Sequence, residues 1–475
     1  MLDKKIFRQY DIRGVVPENF NKEIIKQIAN TFAYMVKDEL KKEQPVITVG
    51  RDVRLSSDEL FEGVKEGLVD AGVKVIELGR CPTPVTYFSA FHLNPDAFIM
   101  ITGSHNPPEY NGMKFGIGKT TFHSEKIQSV YEHIVKHGYR KSDEKGVVEK
   151  YNIVDAYIKW CEEHFADLKE KIKSLNRSIR LVIDAGNGVA SRVAPEIFKR
   201  LGVEVVELYC EEDGRFPNHH PDPTVEVNLQ DLIKTVKEKG ADFGIGYDGD
   251  ADRIGVIDEK GDIIWGDMLL IVYTKELKKY YEKPKVIADV KASQVFFDYA
   301  KKIGAEPIMW KTGHSLIKNK LKETNAELAG EMSGHIFFND KYFGYDDAIY
   351  SSVRFLEAYV NNLIENKIEK VSDLLADVPK VYNTPEIRFE CPEDKKFQIV
   401  KELTNIFKEY KINGKYNIKD IIDIDGIRVI FDEGWGLLRA SNTQPVLVMR
   451  FEATTKEKMK EYQNIIEGEL NKLIK

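Results

Sequence analysis

With 475 residues, 42% of them hydrophobic and 31% charged, the chain is too long for one core and has the make-up of a soluble globular protein of roughly three or four domains. A net charge of −7, with no block of Lys or Arg to offset it, argues against nucleic acid as a partner, and no apolar run approaches the roughly 20 residues that span a bilayer. Met1 to Arg8 lack the apolar stretch of a secretory signal, and Cys81, Cys161, Cys210 and Cys391 lack the spacing of a zinc site or disulfide framework, so the expectation is a cytoplasmic protein.

In chain order, strands are predicted at Val46 to Gly50 and at Val73 to Leu78, joined by a helical stretch and the turn Ala71-Gly72. Such β-branched runs read as buried parallel strands, and a glycine at the helix exit reads as its cap. The apolar run Ala97 to Ile101 predicts another buried strand, which delivers the polar turn Thr102-Gly103-Ser104-His105-Asn106-Pro107-Pro108. Residues 138–150, charged and bearing Gly138 and Gly146, read as a linker. The strand–helix–strand rhythm returns from Leu181 to Leu208 and again from Val286 to Ile308. Between those two, the strand Phe243 to Gly246 enters the loop Tyr247 to Arg253, and Asp258 to Asp262 turns between short strands. A short strand, Ala326 to Ala329, precedes Gly330-Glu331-Met332-Ser333-Gly334-His335. Past Pro379 and Pro385 the pattern becomes a strand, an amphipathic helix over Asp394 to Tyr410, strands around 423–431 and 437–439, and a helix from Lys456. The chain thus divides into three α/β segments of related architecture, 1–150, 151–259 and 260–372, and an α+β segment, 373–475. Few polar residues link the last segment to the rest, so it is expected to hinge as its own body.

The Ser104 hydroxyl, expected to be exposed, is a weak nucleophile until activated but a ready donor once phosphorylated; taken alone, its turn is equally well a helix cap or tight bend. Asp248, Asp250 and Asp252 alternate along a glycine-containing loop, which converges their oxygens on one point as a hard-cation site. They match positions 1, 3 and 5 of an EF-hand, with Glu259 at position 12, but Arg253 stands where the sharp turn needs glycine, and the flanks are strands. Carboxylates that leave coordination sites open suit Mg²⁺, and Arg253 beside them can clamp a phosphate oxygen or sugar hydroxyl. Glu331, Ser333 and His335 supply acceptors for sugar hydroxyls and a group that trades protons near neutral pH. No strand-to-helix elbow makes Ser333 a triad nucleophile. Arg439, Ser441, Asn442 and Thr443 combine one cation with small hydrogen-bonding side chains and loop amides, as a terminal phosphate requires.

In this order the motifs resemble those of the α-D-phosphohexomutases, and the match covers nearly the whole chain. Phe7 to Gly14 is similar to the family's opening motif, Thr102 to Lys114 to its phosphoserine loop, and Asp248 to Arg253 to its metal loop. Gly330 to His335 resembles the sugar loop, in the form of the phosphomannomutase/phosphoglucomutase subgroup, and Arg439 to Thr443 the phosphate loop. Phosphoglucosamine mutases usually carry Gln at the position of Met332, and Gln444 and Val448 depart from residues common elsewhere in the family. The resemblance implies three related α/β domains with mixed sheets and a smaller α+β C-terminal domain around a central cleft. It implies reversible interconversion of hexose 1-phosphate and hexose 6-phosphate, of mannose or glucose, through phosphorylated Ser104 and a hexose 1,6-bisphosphate intermediate and activator. Mg²⁺ is implied on Ser104, Asp248, Asp250 and Asp252, with His105, Lys114, Arg253 and His335 near the reacting oxygens. Tyr10 and Arg13 are implied beside the serine loop, Lys291 and His314 against ligand, Glu331 and Ser333 on sugar hydroxyls, and Arg439, Ser441, Asn442 and Thr443 on the non-reacting phosphate. The implied partners are small-molecule hexose phosphates, with neither nucleic acid nor membrane, and a homo-oligomer is compatible with the resemblance. A phosphoglucosamine mutase and a Mg²⁺-dependent sugar phosphatase stand as alternatives.

Overall fold

Ala97–Ile101 is buried at all five positions, as an apolar strand without a polar face must be. In the computed structural model, which describes residues 2–441 and 445–474, it lies inside a seven-stranded sheet. The order is Ile12–Val15, Tyr110–Ile117, Ala97–Ile101, Val46–Arg51, Lys74–Arg80, Val148–Lys150, with Thr120–Thr121 paired to Tyr110–Ile117. Val46–Arg51 runs parallel to both Lys74–Arg80 and Ala97–Ile101, while Tyr110–Ile117 returns antiparallel and places Lys114 opposite Met100. The stretch read as a linker ends in Val148–Lys150, an exposed edge strand on Lys74–Arg80.

The chain forms two compact units, one running to Tyr273 and including Ser333–Leu374, the other Thr274–Met332 with the chain from Leu375 onward. The first unit also holds a five-stranded sheet ordered Ile263–Ile264, Ile254–Asp258, Phe243–Tyr247, Arg180–Asp184, Glu204–Leu208. Phe243–Tyr247 is parallel to Arg180–Asp184 and antiparallel to Ile254–Asp258, so the loop 248–253 joins a hairpin, as its strand flanks predicted.

In the second unit, Lys285–Asp289 pairs in parallel with Glu306–Trp310 and Leu328–Gly330, completing the third predicted strand–helix–strand unit. The later chain builds a six-stranded antiparallel sheet: Tyr382–Asn383, Val446–Ala453, Gly434–Ala440, Ile427–Ile430 and Asp420–Ile422 in order, with Ile387–Glu390 added to Val446–Ala453. Helices Lys396–Ile412 and Lys456–Ile474 supply its α component.

The expectation that few polar groups tie this last piece down is corrected within the second unit. Fully buried Arg428 donates from Nη1 to the carbonyls of Val290 and Ala292, both at 2.7 Å, and from Nη2 to Gln294 Oε1 at 3.1 Å. Arg450 donates to the Lys291 carbonyl, Gln294 N–H to Glu452 Oε1, and Trp435 packs with Val290 and Leu437. Among the described residues no helix is long and apolar enough to cross a membrane, and all four cysteines are free.

Candidate functional site

Ser104 sits past the end of Ala97–Ile101 with φ of +49°, and its hydroxyl is not exposed as expected: the residue is 3% accessible. The cause is Arg54, fully buried, whose guanidinium donates to four carbonyls of the same turn, those of Ser104 (2.7 Å), Asn106 (2.5 Å), Pro107 (2.5 Å) and Tyr110 (2.9 Å). A delocalised cation with five donors can gather that many backbone acceptors and draw the turn inward. Arg13, paired with Asp11, donates to Asn106 Oδ1 at 2.5 Å and so supports the same turn, while Tyr10 lies half-buried ahead of Ile12–Val15.

The carboxylate loop closes directly on this serine. Gly249 is required there, because a Cβ would stand 2.6 Å from the Ser104 carbonyl oxygen. Ser104 Oγ donates to Asp248 Oδ2 at 3.1 Å and lies 3.2 Å from His105 Nδ1. Asp248 Oδ1 accepts the N–H groups of Asp252 and Arg253, both at 3.0 Å. Asp250 Oδ2 accepts the Thr83 hydroxyl at 2.5 Å and Lys114 Nζ at 2.7 Å, while its Oδ1 is buried without a hydrogen-bond partner. Asp252 Oδ2 accepts Lys114 Nζ at 2.6 Å, and its Oδ1 is 3.1 Å from His335 Nε2. His335 Nε2 is also 3.3 Å from Arg253 Nε, so this one nitrogen donates to Asp252 when it carries a proton or accepts from Arg253 when it does not. Ser333 Oγ lies 3.5 Å from the other nitrogen of that ring.

Candidate ligand oxygens of Asp248, Asp250 and Asp252 fall within 4.8 Å of one another, all three residues being buried. Burial and the two neighbouring carboxylates push the Asp248 carboxyl well above its ordinary range. Burial acts likewise on Asp252, but Lys114 and His335 outweigh it and hold that carboxyl well below. For Lys114, burial opposes the charge and the paired aspartates more than restore it, so the ammonium is retained. His105 moves well below the usual imidazole range through burial, with Arg253 and Arg13 adding to the effect. Three carboxylates, each braced by a protein donor and one keeping a buried oxygen unshared, are a donor set that fits a metal ion.

The remaining candidates sit in the second unit. Lys291 follows Lys285–Asp289, and its Nζ is 2.7 Å from Glu386 Oε1 and 3.8 Å from Asp289 Oδ2. The Lys291 ammonium holds Glu386 down at about 2, whereas burial pushes Asp289 up to about 6 against the pull of Lys291. Glu331 is buried and accepts the Gly313 N–H at 2.7 Å, beside His314, which opens the helix His314–Thr324. Arg439, at the end of Gly434–Ala440, pairs with Asp425 through Nε at 3.0 Å, and Ser441 offers its carbonyl to Lys396 at 2.5 Å. Asn442 and Thr443 lie outside the described residues.

Sequence reasoning missed Arg54, Thr83, Asp425, and Asp346, which forms a buried cluster with Asp252 and His335. Each acts on a partner remote in the chain, and none sits in a local pattern that marks it.

Comparison with known proteins adds an independent line. Models described as phosphoglucomutase/phosphomannomutase alpha/beta/alpha domains I, II and III match residues 4–141, 155–261 and 265–382, and the C-terminal domain model matches 386–468. The chain is 41% identical over 469 residues to a phosphomannomutase/phosphoglucomutase of Pseudomonas aeruginosa, covering 99% of this chain and 96% of that protein. It is 40% identical over 464 residues to a phosphoglucomutase of Neisseria gonorrhoeae, covering 98% and 96%. A crystal structure of a phosphoglucomutase/phosphomannomutase family protein from Burkholderia thailandensis superposes with a TM-score of 0.87 at 38% identity, covering 99% of this chain and 98% of the other.

Proposed function

Since the chain belongs to the phosphoglucomutase/phosphomannomutase family, we propose that it interconverts hexose 1-phosphates and hexose 6-phosphates of glucose and mannose through a phosphoserine at Ser104 and a hexose 1,6-bisphosphate intermediate. The observation that carries this reading is Ser104 Oγ at 3.1 Å from Asp248 Oδ2, in a loop where Asp250 keeps a buried, unpartnered oxygen. An all-oxygen set of this kind suits a small hard cation, and we assign Asp248, Asp250, Asp252 and an oxygen on Ser104 to Mg²⁺. When bound, the ion supplies Lewis-acid neutralisation of charge on the transferring group.

The chain's own residues do the remainder. As the sugar hydroxyl oxygen attacks phosphorus, one O–P bond forms and the Ser104 Oγ–P bond breaks; after the bisphosphate turns end for end, Ser104 Oγ attacks its other phosphorus as that phosphate's bond to the sugar oxygen breaks, and no water is consumed. His105, whose Nδ1 lies 3.2 Å from Ser104 Oγ, takes the proton of the attacking sugar hydroxyl and delivers it to Ser104 Oγ as the Oγ–P bond breaks. Lys114 and Arg253 stay cationic and offset the charge that builds. Glu331, Ser333 and His335 hold sugar hydroxyls, and Lys291, His314, Arg439 and Ser441, with Asn442 and Thr443, hold the phosphate that is not reacting. Tyr10 and Arg13 support the serine turn. In this scheme the segments 1–150, 151–259, 260–372 and 373–475 contribute one working loop each.

The test compares glucose 1-phosphate, mannose 1-phosphate and glucosamine 1-phosphate, each with Mg²⁺ and a bisphosphate activator. Interconversion of the first two, with little of the third, is expected. Inorganic phosphate released as fast as substrate disappears would make the protein a phosphatase and sink the mutase reading.

A further inference from the structure

We propose that Asp425 is a positioning residue that presents Arg439 to the phosphate of the bound sugar, an inference resting on the role given to Arg439 above. The Asp425 carboxylate takes Arg439 at two points, Nε to Oδ2 at 3.0 Å and Nη2 to Oδ1 at 3.4 Å. It also accepts the Thr312 N–H on Oδ2 at 3.0 Å. Both side chains are largely withdrawn from solvent, 7% and 14% accessible, so the pair escapes most of the screening that weakens surface ion pairs. The next residue, Gly426, has φ of +84°, and a Cβ there would lie 2.4 Å from the Leu438 carbonyl oxygen and 2.6 Å from Arg439 Cβ. Only glycine lets this turn close on the arginine.

Three carboxylates hold the turn that starts at Thr312. Asp425 takes its N–H, Asp289 takes its hydroxyl at 3.2 Å, and Glu331 takes the following N–H, that of Gly313, at 2.7 Å. Asp425 therefore ties the phosphate-loop arginine to the turn that delivers His314. An arginine stem has many rotamers, and a two-point pair on Nε and Nη2 fixes the guanidinium plane. A dianionic phosphate meeting that guanidinium finds a donor already ordered, and the ordering cost at binding is smaller.

The experiment is calorimetric titration of the full chain with glucose 1-phosphate, beside steady-state kinetics, for wild type, Asp425→Asn, Arg439→Ala and the double variant. Asp425→Asn is expected to weaken binding about ten-fold, a size usual for a lost charged hydrogen bond. KM should rise in proportion, and kcat should fall less. On the Arg439→Ala background the same change should add less than about two-fold, because Asp425 acts through that arginine. Wild-type affinity in Asp425→Asn overturns the proposal, and so does full additivity with Arg439→Ala, which a merely structural carboxylate produces. If Asp425→Asn does not fold, Asp425→Glu carries the comparison by displacing the same charge: weakened binding supports the proposal and unchanged binding overturns it. Calorimetry in excess chelator, where the proposed transfer is stopped, reads Asp425 without turnover. A protein that bound sugar phosphate and interconverted nothing would sink the mutase reading alone.

Discussion

Arg428→Met tests whether the residues around Lys291 are held from the later part of the chain. Arg428 is fully buried in Ile427–Ile430, and its guanidinium carbon lies 3.7 Å from the centre of the Trp435 ring. Its donations to the Val290 and Ala292 carbonyls, at 2.7 Å each, flank the Lys291 carbonyl held by Arg450. Three successive carbonyls are thus fixed by two guanidinium groups. Methionine fills much of the arginine's volume but donates nothing, so two buried carbonyls lose this donor. At about 1–3 kcal/mol for each stranded group, plus roughly 0.5–2 kcal/mol for the lost cation–π contact, the change should destabilise the protein by about 2.5–8 kcal/mol. That is a large share of the roughly 5–15 kcal/mol by which domains are stable. Urea unfolding followed by tryptophan fluorescence reads the loss, since Trp310 and Trp435 both lie in the second unit. KM for glucose 1-phosphate should rise as Lys291 loses its fixed backbone. A loss under about 1 kcal/mol, or an unchanged KM in a clearly destabilised variant, refutes the reasoning.

Ser104→Ala should abolish turnover and, by intact-protein mass spectrometry, carry no phosphate where the wild type carries one; because Oγ donates to Asp248, it should also cost about 1 kcal/mol of stability. A fully active Ser104→Ala protein would contradict the phosphoserine. Asp248→Asn or Asp252→Asn should weaken divalent-cation binding in calorimetry and slow phosphoryl transfer by orders of magnitude; undiminished activity in excess chelator argues against the metal. Glu386 is held at about 2, against an ordinary 4.5, by the Lys291 ammonium, so its contribution to stability is complete above 4.5 and lost as pH falls towards 2. That contribution amounts to no more than about 3 kcal/mol. Glu386→Gln should flatten that acid limb, and an identical pH–stability profile would show that the ion pair contributes nothing.

What was legible in the sequence was what is local in it. Val46–Arg51 and Lys74–Arg80, Arg180–Asp184 and Glu204–Leu208, and Lys285–Asp289 and Glu306–Trp310 all pair in parallel, because each apolar run and its helix announce themselves within about thirty residues. The aspartate loop was legible for the same reason: three carboxylates spaced two apart, with Gly249 between them where the serine carbonyl approaches. The burial of Ser104 was not legible, since it depends on Arg54, fifty residues away in sequence. An arginine in a polar stretch reads as surface, and nothing local says that four carbonyls will close around it. Arg428 and Asp425 escaped notice in the same way, their partners lying more than a hundred residues back at Val290, Ala292 and Thr312.

Four charged residues outside the candidate set, Arg54, Arg428, Arg450 and Asp425, share a chemical role. Arg54 fixes carbonyls of the serine turn, Arg428 and Arg450 fix the carbonyls around Lys291, and Asp425 fixes a guanidinium and a backbone N–H. None bears a group that the proposed transfer consumes. Each holds another residue's backbone or side chain in place beside a proposed site residue, and immobilising a loop in low dielectric favours charged, multiply bonded groups. Arg428 and Arg450 satisfy three adjacent carbonyls with only two side chains. The proposed reacting set of serine, aspartates, histidines and lysine is therefore local and readable as motif, whereas the set that orders it is buried, ionic and distributed along the chain. Substitutions in the second set should move affinity and stability together, and substitutions in the first should act most strongly on turnover.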